Sequence, residues 1–222
     1  MKDILKHINL RIIFAKIKKI LDAGCGEGYG SCLISDKATE VIGIDISEEA
    51  IKHARKKYTK DNLKYELMDV QNLKFKNEIF DVVLSFQVIE HLSDHSQFLK
   101  EIKRVLKKDG LAVVGTPNKA LCKGNANNEY HVKEYRYNEY IDLLNSSLGS
   151  TEFYGVHVKS GKYSKLKLIN LVLSLDVCKI RRLFPSKFRK STLMTMEKKI
   201  ELEITNTKLN TALDVIGLYK KL

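Results

Sequence analysis

The sequence predicts an α/β domain built on a doubly wound, mostly parallel sheet. Three observations carry that expectation. Apolar runs of strand length alternate with segments of helical period from residue 18 onward. Several of those runs are apolar throughout, as strands covered on both faces are. The first of them ends in a glycine-rich turn, LDAGCGEGYG, at the edge where such sheets receive ligands.

Each element has its own signal. Residues 18–23 (KKILDA) form a short buried strand that stops at Gly24, and residues 40–46 (EVIGIDI) form a second. Ser47 is placed to cap a helix running to about Tyr58, with Glu48 and Glu49 in the first turn, where the helix dipole favours negative charge. Residues 63–69 (LKYELMD) alternate as a third strand, and residues 80–86 (FDVVLSF) form a fourth. From Asp94 to Lys107 a helix gathers Phe98, Ile102, Val105 and Leu106 on one face, with Asp109-Gly110 as its stop. The fifth strand is 111–116 (LAVVGT), closed by Pro117. Residues 118–135 are polar and long enough for a functional loop. A helix at 138–148 and strands at 153–158 and 212–219 complete the pattern.

The chain has 222 residues, 44% hydrophobic and 30% charged, which suits one substantial domain with a buried core. No run approaches the ~18–20 apolar residues of a membrane span, and the N-terminus shows no secretory cleavage pattern. Cys25, Cys32, Cys122 and Cys178 form no CxxC pair and no metal-ligand spacing. A reduced, cytoplasmic protein is expected. The net charge of +12 is concentrated: residues 159–199 hold 12 Lys and Arg against Asp176 and Glu197. Within this segment Leu166–Ile180 is almost wholly apolar, too short to cross a bilayer and too apolar to stand alone in water. The expected organisation is therefore a core domain, 1–158 plus 206–222, with a basic helical insertion at 159–205. The insertion is expected to serve as a lid over the site, as a dimer contact, or as a docking element for an anionic membrane surface.

Chemistry concentrates at the ends of the strands. Gly24, Gly26 and Gly28 let the chain turn tightly and bring backbone close to a ligand. Asp45 ends the second strand, where an acidic side chain can accept ribose hydroxyls. Asp69 ends the third, between Met68 and Val70, where a base would meet apolar walls and one polar acceptor. The ordered set LDAGCGEGYG, VIGIDISEEAI, LMDVQNL, FDVVLSFQVIEHL, FLKEIKRVLKKDG and VVGTPN resembles the class I S-adenosylmethionine-dependent methyltransferases of the type 11 group. The resemblance covers Ile20 to about Leu144. It implies a Rossmann-like, seven-stranded sheet that ends in an antiparallel hairpin. It also implies S-adenosylmethionine as cofactor and S-adenosylhomocysteine as product. Asp22, Gly24, Gly26 and Gly28 would then surround the methionine portion, Asp45 and Ile46 the ribose, and Asp69 and Val70 the adenine. Ser85, Phe86 and Gln87 would line the region near the methyl group.

A hydroxyl acceptor needs somewhere for its proton to go, either a base or a metal that lowers its pKa. His91, beside Glu90 just beyond the fourth strand, and His131, in a HVKEY segment, are the catalytic candidates. Related quinone-biosynthesis O-methyltransferases carry an ExxEH arrangement at this place that can hold a divalent metal. Here its first position is Gln87, an amide, and no metal is expected. The acceptor class expected is a small molecule, glycan or lipid-linked compound. Nucleic acid fits less well, because no (D/N)PP(Y/F) motif follows the fourth strand. A non-catalytic cofactor-binding module remains the alternative outside enzymes.

Overall fold

A computed structural model describes residues 19–120, 131–158 and 202–222. The chain divides into two compact units, Met1–Val156 with Ile204–Leu222, and His157–Glu203. The basic and apolar stretch singled out within 159–205 lies outside the described residues, apart from a short strand at its end.

The elements in order are β1 (Lys19–Ala23), α1 (Tyr29–Ser35), β2 (Glu40–Asp45), α2 (Glu48–Lys57), β3 (Leu63–Leu67) and β4 (Phe80–Phe86). A 3-10 turn (Ile89–His91), α3 (His95–Val105), β5 (Leu106–Pro117), α4 (Tyr137–Ser147) and β6 (Thr151–Val158) follow. The described chain closes with β7 (Leu202–Thr205), a second 3-10 turn (Leu209–Thr211) and β8 (Asp214–Lys220). The sheet order is β3-β2-β1-β4-β5-β8-β6-β7. Five strands, β1 to β5, are mutually parallel, and β8 runs antiparallel between β5 and β6. The antiparallel pair β6 and β8 is the expected hairpin, and β7 adds an eighth strand to the seven anticipated.

The parallel strands sit where the apolar runs put them. Ile20 and Leu21 of β1, Val41 and Ile44 of β2, and Phe80 and Val83 of β4 are fully buried. On α3, the stripe of Phe98, Ile102 and Val105 is likewise buried against the sheet. Both helix caps are local chemistry. Ser47 Oγ accepts from the Ala50 amide at 3.2 Å, and Asp94 Oδ1 accepts from the Gln97 amide at 2.9 Å.

Several boundaries differ from expectation. Strand β3 ends at Leu67 and not at Asp69, because Asp69 Oδ1 accepts from the Gln71 amide at 2.8 Å and turns the chain. Helix α3 ends at Val105, and Leu106 already pairs with Phe80. Asp109-Gly110 does not stop the helix. It lies in an irregular stretch of β5, where Asp109 has φ +60° and its amide donates to the Lys221 carbonyl at 2.8 Å. The last strand begins at Asp214, two residues later than read, after the 3-10 turn at Leu209–Thr211.

Strand β1 pairs with β2 on one side and β4 on the other. The chain thus leaves the middle of the sheet in both directions, which puts the topological switch point, where such sheets receive ligands, at the carboxyl ends of β1 and β4. The loop at that point is a test of backbone shape. Gly26 (φ +53°) has open space where a Cβ would stand, whereas at Gly28 (φ +83°) a Cβ would come within 2.7 Å of Ala54 Cβ and the Tyr65 ring. Gly26→Ala should therefore cost about 1–2 kcal/mol from left-handed strain alone. Gly28→Ala should cost about 2–5 kcal/mol, since overpacking adds to the same strain. Urea unfolding of the two variants measures the difference; equal losses would refute the packing argument.

Candidate active site

The loop after β1 is held by the end of β2. The amides of Gly24 and Cys25 both donate to the Ile44 carbonyl, at 2.9 and 2.8 Å. The Gly26 amide donates to Asp45 Oδ2 at 2.8 Å, while Asp45 Oδ1 accepts from the Ser47 amide at 2.9 Å. Asp45 thus fixes the glycine loop and the turn into α2, and a carboxylate keeps further lone pairs for a ligand. Asp22 is buried beneath the loop and accepts from Ser31 Oγ at 2.6 Å. Burial pushes its carboxyl up to about 6; the Ser31 bond opposes this and the charge of Asp45 adds to it.

The same edge carries uncovered apolar surface. Tyr29, Ile46 and Leu67 are 60%, 74% and 52% exposed, unusual for side chains of this size. They stand after the glycine loop, after β2 and at the end of β3, so they border the polar groups of Asp45 and Asp69. An apolar margin around two carboxylates suits a ligand with a flat ring and a hydroxylated sugar.

A second cluster lies beyond β4. Glu90 is almost fully buried in the first 3-10 turn, and its Oε2 accepts from Thr116 Oγ1 at 3.1 Å. Its Oε1 has no hydrogen-bond partner among the described residues. Burial raises its carboxyl to about 7, with the charges of Asp214 and Glu134 adding to the shift. The Glu90 carbonyl accepts from the Val132 and Lys133 amides at 2.9 and 3.1 Å, which docks the segment carrying His131 against the turn carrying His91. The two imidazoles meet edge to face, with ring centroids 4.7 Å apart. Glu134 Oε1 lies 3.1 Å from His131 Nδ1.

Comparison with known proteins bears on the glycine loop and strand ends directly. Residues 21–114 match the family model described as "Methyltransferase domain". A probable S-adenosylmethionine-dependent methyltransferase of Mycolicibacterium smegmatis is 38% identical over 133 residues, 59% of this chain and 51% of that protein. A ubiquinone biosynthesis O-methyltransferase of Pelagibacter ubique is 36% identical over 124 residues, 54% of this chain and 51% of that protein. The chain spans about half the length of the relatives it matches. Among solved structures, the YcgJ protein of Bacillus subtilis superposes with a TM-score of 0.63 at 17% identity, covering 97% of this chain and 99% of that one. Residues 21–114 therefore resemble a methyltransferase domain, and relatives over this stretch are named as S-adenosylmethionine-dependent.

The predicted residues separate by their place in the fold. Gly24, Gly26, Gly28, Asp45, Ile46 and Asp69 all stand at the carboxyl edge of β1, β2 and β3, close to the exposed apolar margin. Asp22 and Val70 are buried behind that edge, and only the main chain of Val70 is left to face a ligand. Ser85 is also buried, its Oγ donating to the Ala23 carbonyl at 2.9 Å, so it ties β4 to the end of β1. Gln87, in a left-handed conformation (φ +58°), sends its amide to Asp214 Oδ1 at 3.2 Å. Phe86 lies across Gly115, where a Cβ would come 2.7 Å from its ring. Tyr135 is buried, packed between His95 and Tyr140. No helix among the described residues is long and apolar enough to cross a membrane.

Sequence reasoning missed Tyr29, Leu67 and Thr116 as parts of these clusters. Leu67 and Tyr29 carried no polar signal, and Thr116 is separated in sequence from Glu90 by the length of α3 and β5. The pairing of Glu134 with His131 was legible, because the two stand three residues apart in the HVKEY segment.

Asp22 gives a stability test in the protein without ligand. Its folded pKa of about 6 lies above the ordinary 3.8, so the folded chain holds this proton longer than the unfolded one. Stability from this group is therefore complete below pH ~4 and is lost as pH rises through about 6, by up to about 3 kcal/mol. Asp22→Asn should flatten that loss. Thermal melts of both proteins at pH 4.5 and 7.5 measure it, and an unchanged pH dependence in the variant would contradict the assignment.

Proposed function

We propose that the chain transfers the methyl group of S-adenosylmethionine to an oxygen of a small-molecule acceptor. One observation carries this reading: the glycine loop edge and the Glu90–His91–His131 cluster follow β1 and β4, neighbouring strands tied by the Ser85 hydroxyl. Methyl transfer asks mainly for in-line placement of a nucleophile against an already activated sulfonium. On this reading Gly24, Gly26 and Gly28 surround the methionine portion, Asp45 takes the ribose hydroxyls, and Asp69 with the Val70 main chain reads the adenine. His91 and His131 stand where an acceptor hydroxyl gives up its proton. The similarity to ubiquinone biosynthesis O-methyltransferases supports oxygen as the acceptor atom and a small molecule as its carrier. The free thiols of Cys25 and Cys32 fit a reducing, cytoplasmic setting.

Calorimetry with S-adenosylhomocysteine tests the cofactor half. Binding is expected to the intact protein, and Asp45→Ala should weaken it by about 1.5–3 kcal/mol, the scale of hydrogen bonds to a charged group. Binding of NAD with no binding of S-adenosylhomocysteine would overturn the reading. A methyl-transfer screen over phenols, sugars, lipids and RNA tests the acceptor half. His91→Ala and His131→Ala should each cost about 10²–10⁴-fold in rate on a hydroxyl acceptor. Full activity in both variants would remove the histidines from the chemistry.

A further inference from the structure

We propose that Glu90, His91 and His131 form a binding site for a divalent transition-metal ion. One donor atom from each lies within 4.8 Å of the others, slightly wider than the ~3–4 Å that donors about 2.1 Å from one ion require. His91 is exposed and sits in a three-residue turn.

The first argument is an unspent oxygen. Glu90 is 1% exposed, and its Oε1 has no hydrogen-bond partner among the described residues, which is costly for a buried carboxyl and calls for an ion or donor beside it. Its other oxygen is already fixed by Thr116, so the carboxyl's orientation is set before any ligand arrives. The second argument is the orientation of His131. Glu134 offers only acceptor atoms when ionised, so His131 Nδ1 must be the donor in their 3.1 Å contact. That choice of tautomer leaves the Nε2 lone pair for a metal. A ring nitrogen donating to a carboxylate is the usual support of a metal-bound imidazole. The third argument is construction: the Glu90 carbonyl accepts both the Val132 and Lys133 amides, so main-chain bonds hold one ligand's segment against the next.

The donor set differs from the two-carboxylate arrangement of the quinone-biosynthesis relatives. Gln87 stands at the place of the missing carboxylate, and its amide is bonded to Asp214. His131, supplied by the segment after β5, completes the set in its stead. Two imidazoles and one carboxylate favour zinc, cobalt or ferrous iron over magnesium, which prefers oxygen ligands. In the reaction, which rests on the methyl-transfer reading above, such an ion would lower the pKa of a hydroxyl bound to it. With the ion held by the imidazoles, the hydroxyl's proton would pass to solvent water; in its absence the imidazoles are the acceptors named above.

The test needs neither acceptor nor cofactor. Full-length protein stripped with a chelator is titrated with Zn²⁺ by calorimetry, and with Co²⁺ while the visible absorbance of the ion is followed. One ion per chain, bound at least tenfold more tightly than Mg²⁺, is expected. His131→Ala and His91→Ala should each weaken Zn²⁺ at least tenfold, and Glu134→Gln about tenfold or more. Gln87→Ala should leave Zn²⁺ affinity unchanged. Circular dichroism and S-adenosylhomocysteine affinity establish that each variant is folded, and Glu90→Gln is used only if it passes both. No Zn²⁺ binding, binding indifferent to His91 and His131, or Mg²⁺ binding as tight as Zn²⁺ would each overturn the proposal. S-adenosylhomocysteine binding without Zn²⁺ binding refutes the metal site alone. The reverse result refutes the methyl-transfer reading alone.

Discussion

The end of strand β2 fixes the shape of the ligand edge. A single carbonyl, that of Ile44, accepts two successive amides from the loop after β1, and the neighbouring Asp45 carboxylate accepts a third. A loop with three left-handed glycines has many conformations to lose on folding. Three hydrogen bonds from a buried parallel strand select one of them before any ligand is present. Pre-selection of this kind is what lets binding energy appear as affinity and not be consumed in ordering the loop.

Burial then sets the charge of the surroundings. Asp22 and Asp214 are pushed up to about 6 and Glu90 to about 7, in each case chiefly by burial. Each retains one good donor, Ser31, Gln87 and Thr116 respectively, so none is left wholly unpaired. Carboxyls held near neutrality by burial respond strongly to a cation brought close to them, because the ion favours their charged form.

Much of this was legible in the residues, and the exceptions share a cause. The parallel strands were readable because a strand buried on both faces has nothing but apolar residues to offer, as in FDVVLSF, found at Phe80–Phe86. The helix starts at Ser47 and Asp94 were readable because a cap is a contact three residues long. The local reading was incomplete where its signal met a distant partner. Asp109-Gly110 reads as a helix stop, yet its amide is claimed by Lys221 at the other end of the chain. Gln87 reads as a group near the methyl, yet its amide is claimed by Asp214. Ser85 reads as lining, yet its hydroxyl is spent on Ala23. In each case the residue was found in the right neighbourhood, and its orientation was decided by a strand whose pairing the local sequence does not state.

That pairing also explains why two chemically different clusters stand together. The cofactor edge belongs to β1, β2 and β3, whereas the Glu90 turn follows β4 and the His131 segment follows β5. Strands β1 and β4 are direct neighbours, in register from Ile20 with Val82 to Asp22 with Leu84. Neighbouring strands lie about 4.8 Å apart, so the ends of β1 and β4 are separated by little more than the length of a small acceptor. The Ser85–Ala23 bond fixes that spacing at the last buried rung of the sheet. Displacement at a methyl group needs nucleophile, carbon and leaving sulfur in one line, a demand on distance and direction more than on any single functional group. A rigid pair of strands meets such a demand better than loops could, and here each strand delivers its cluster within a few residues of its last hydrogen bond.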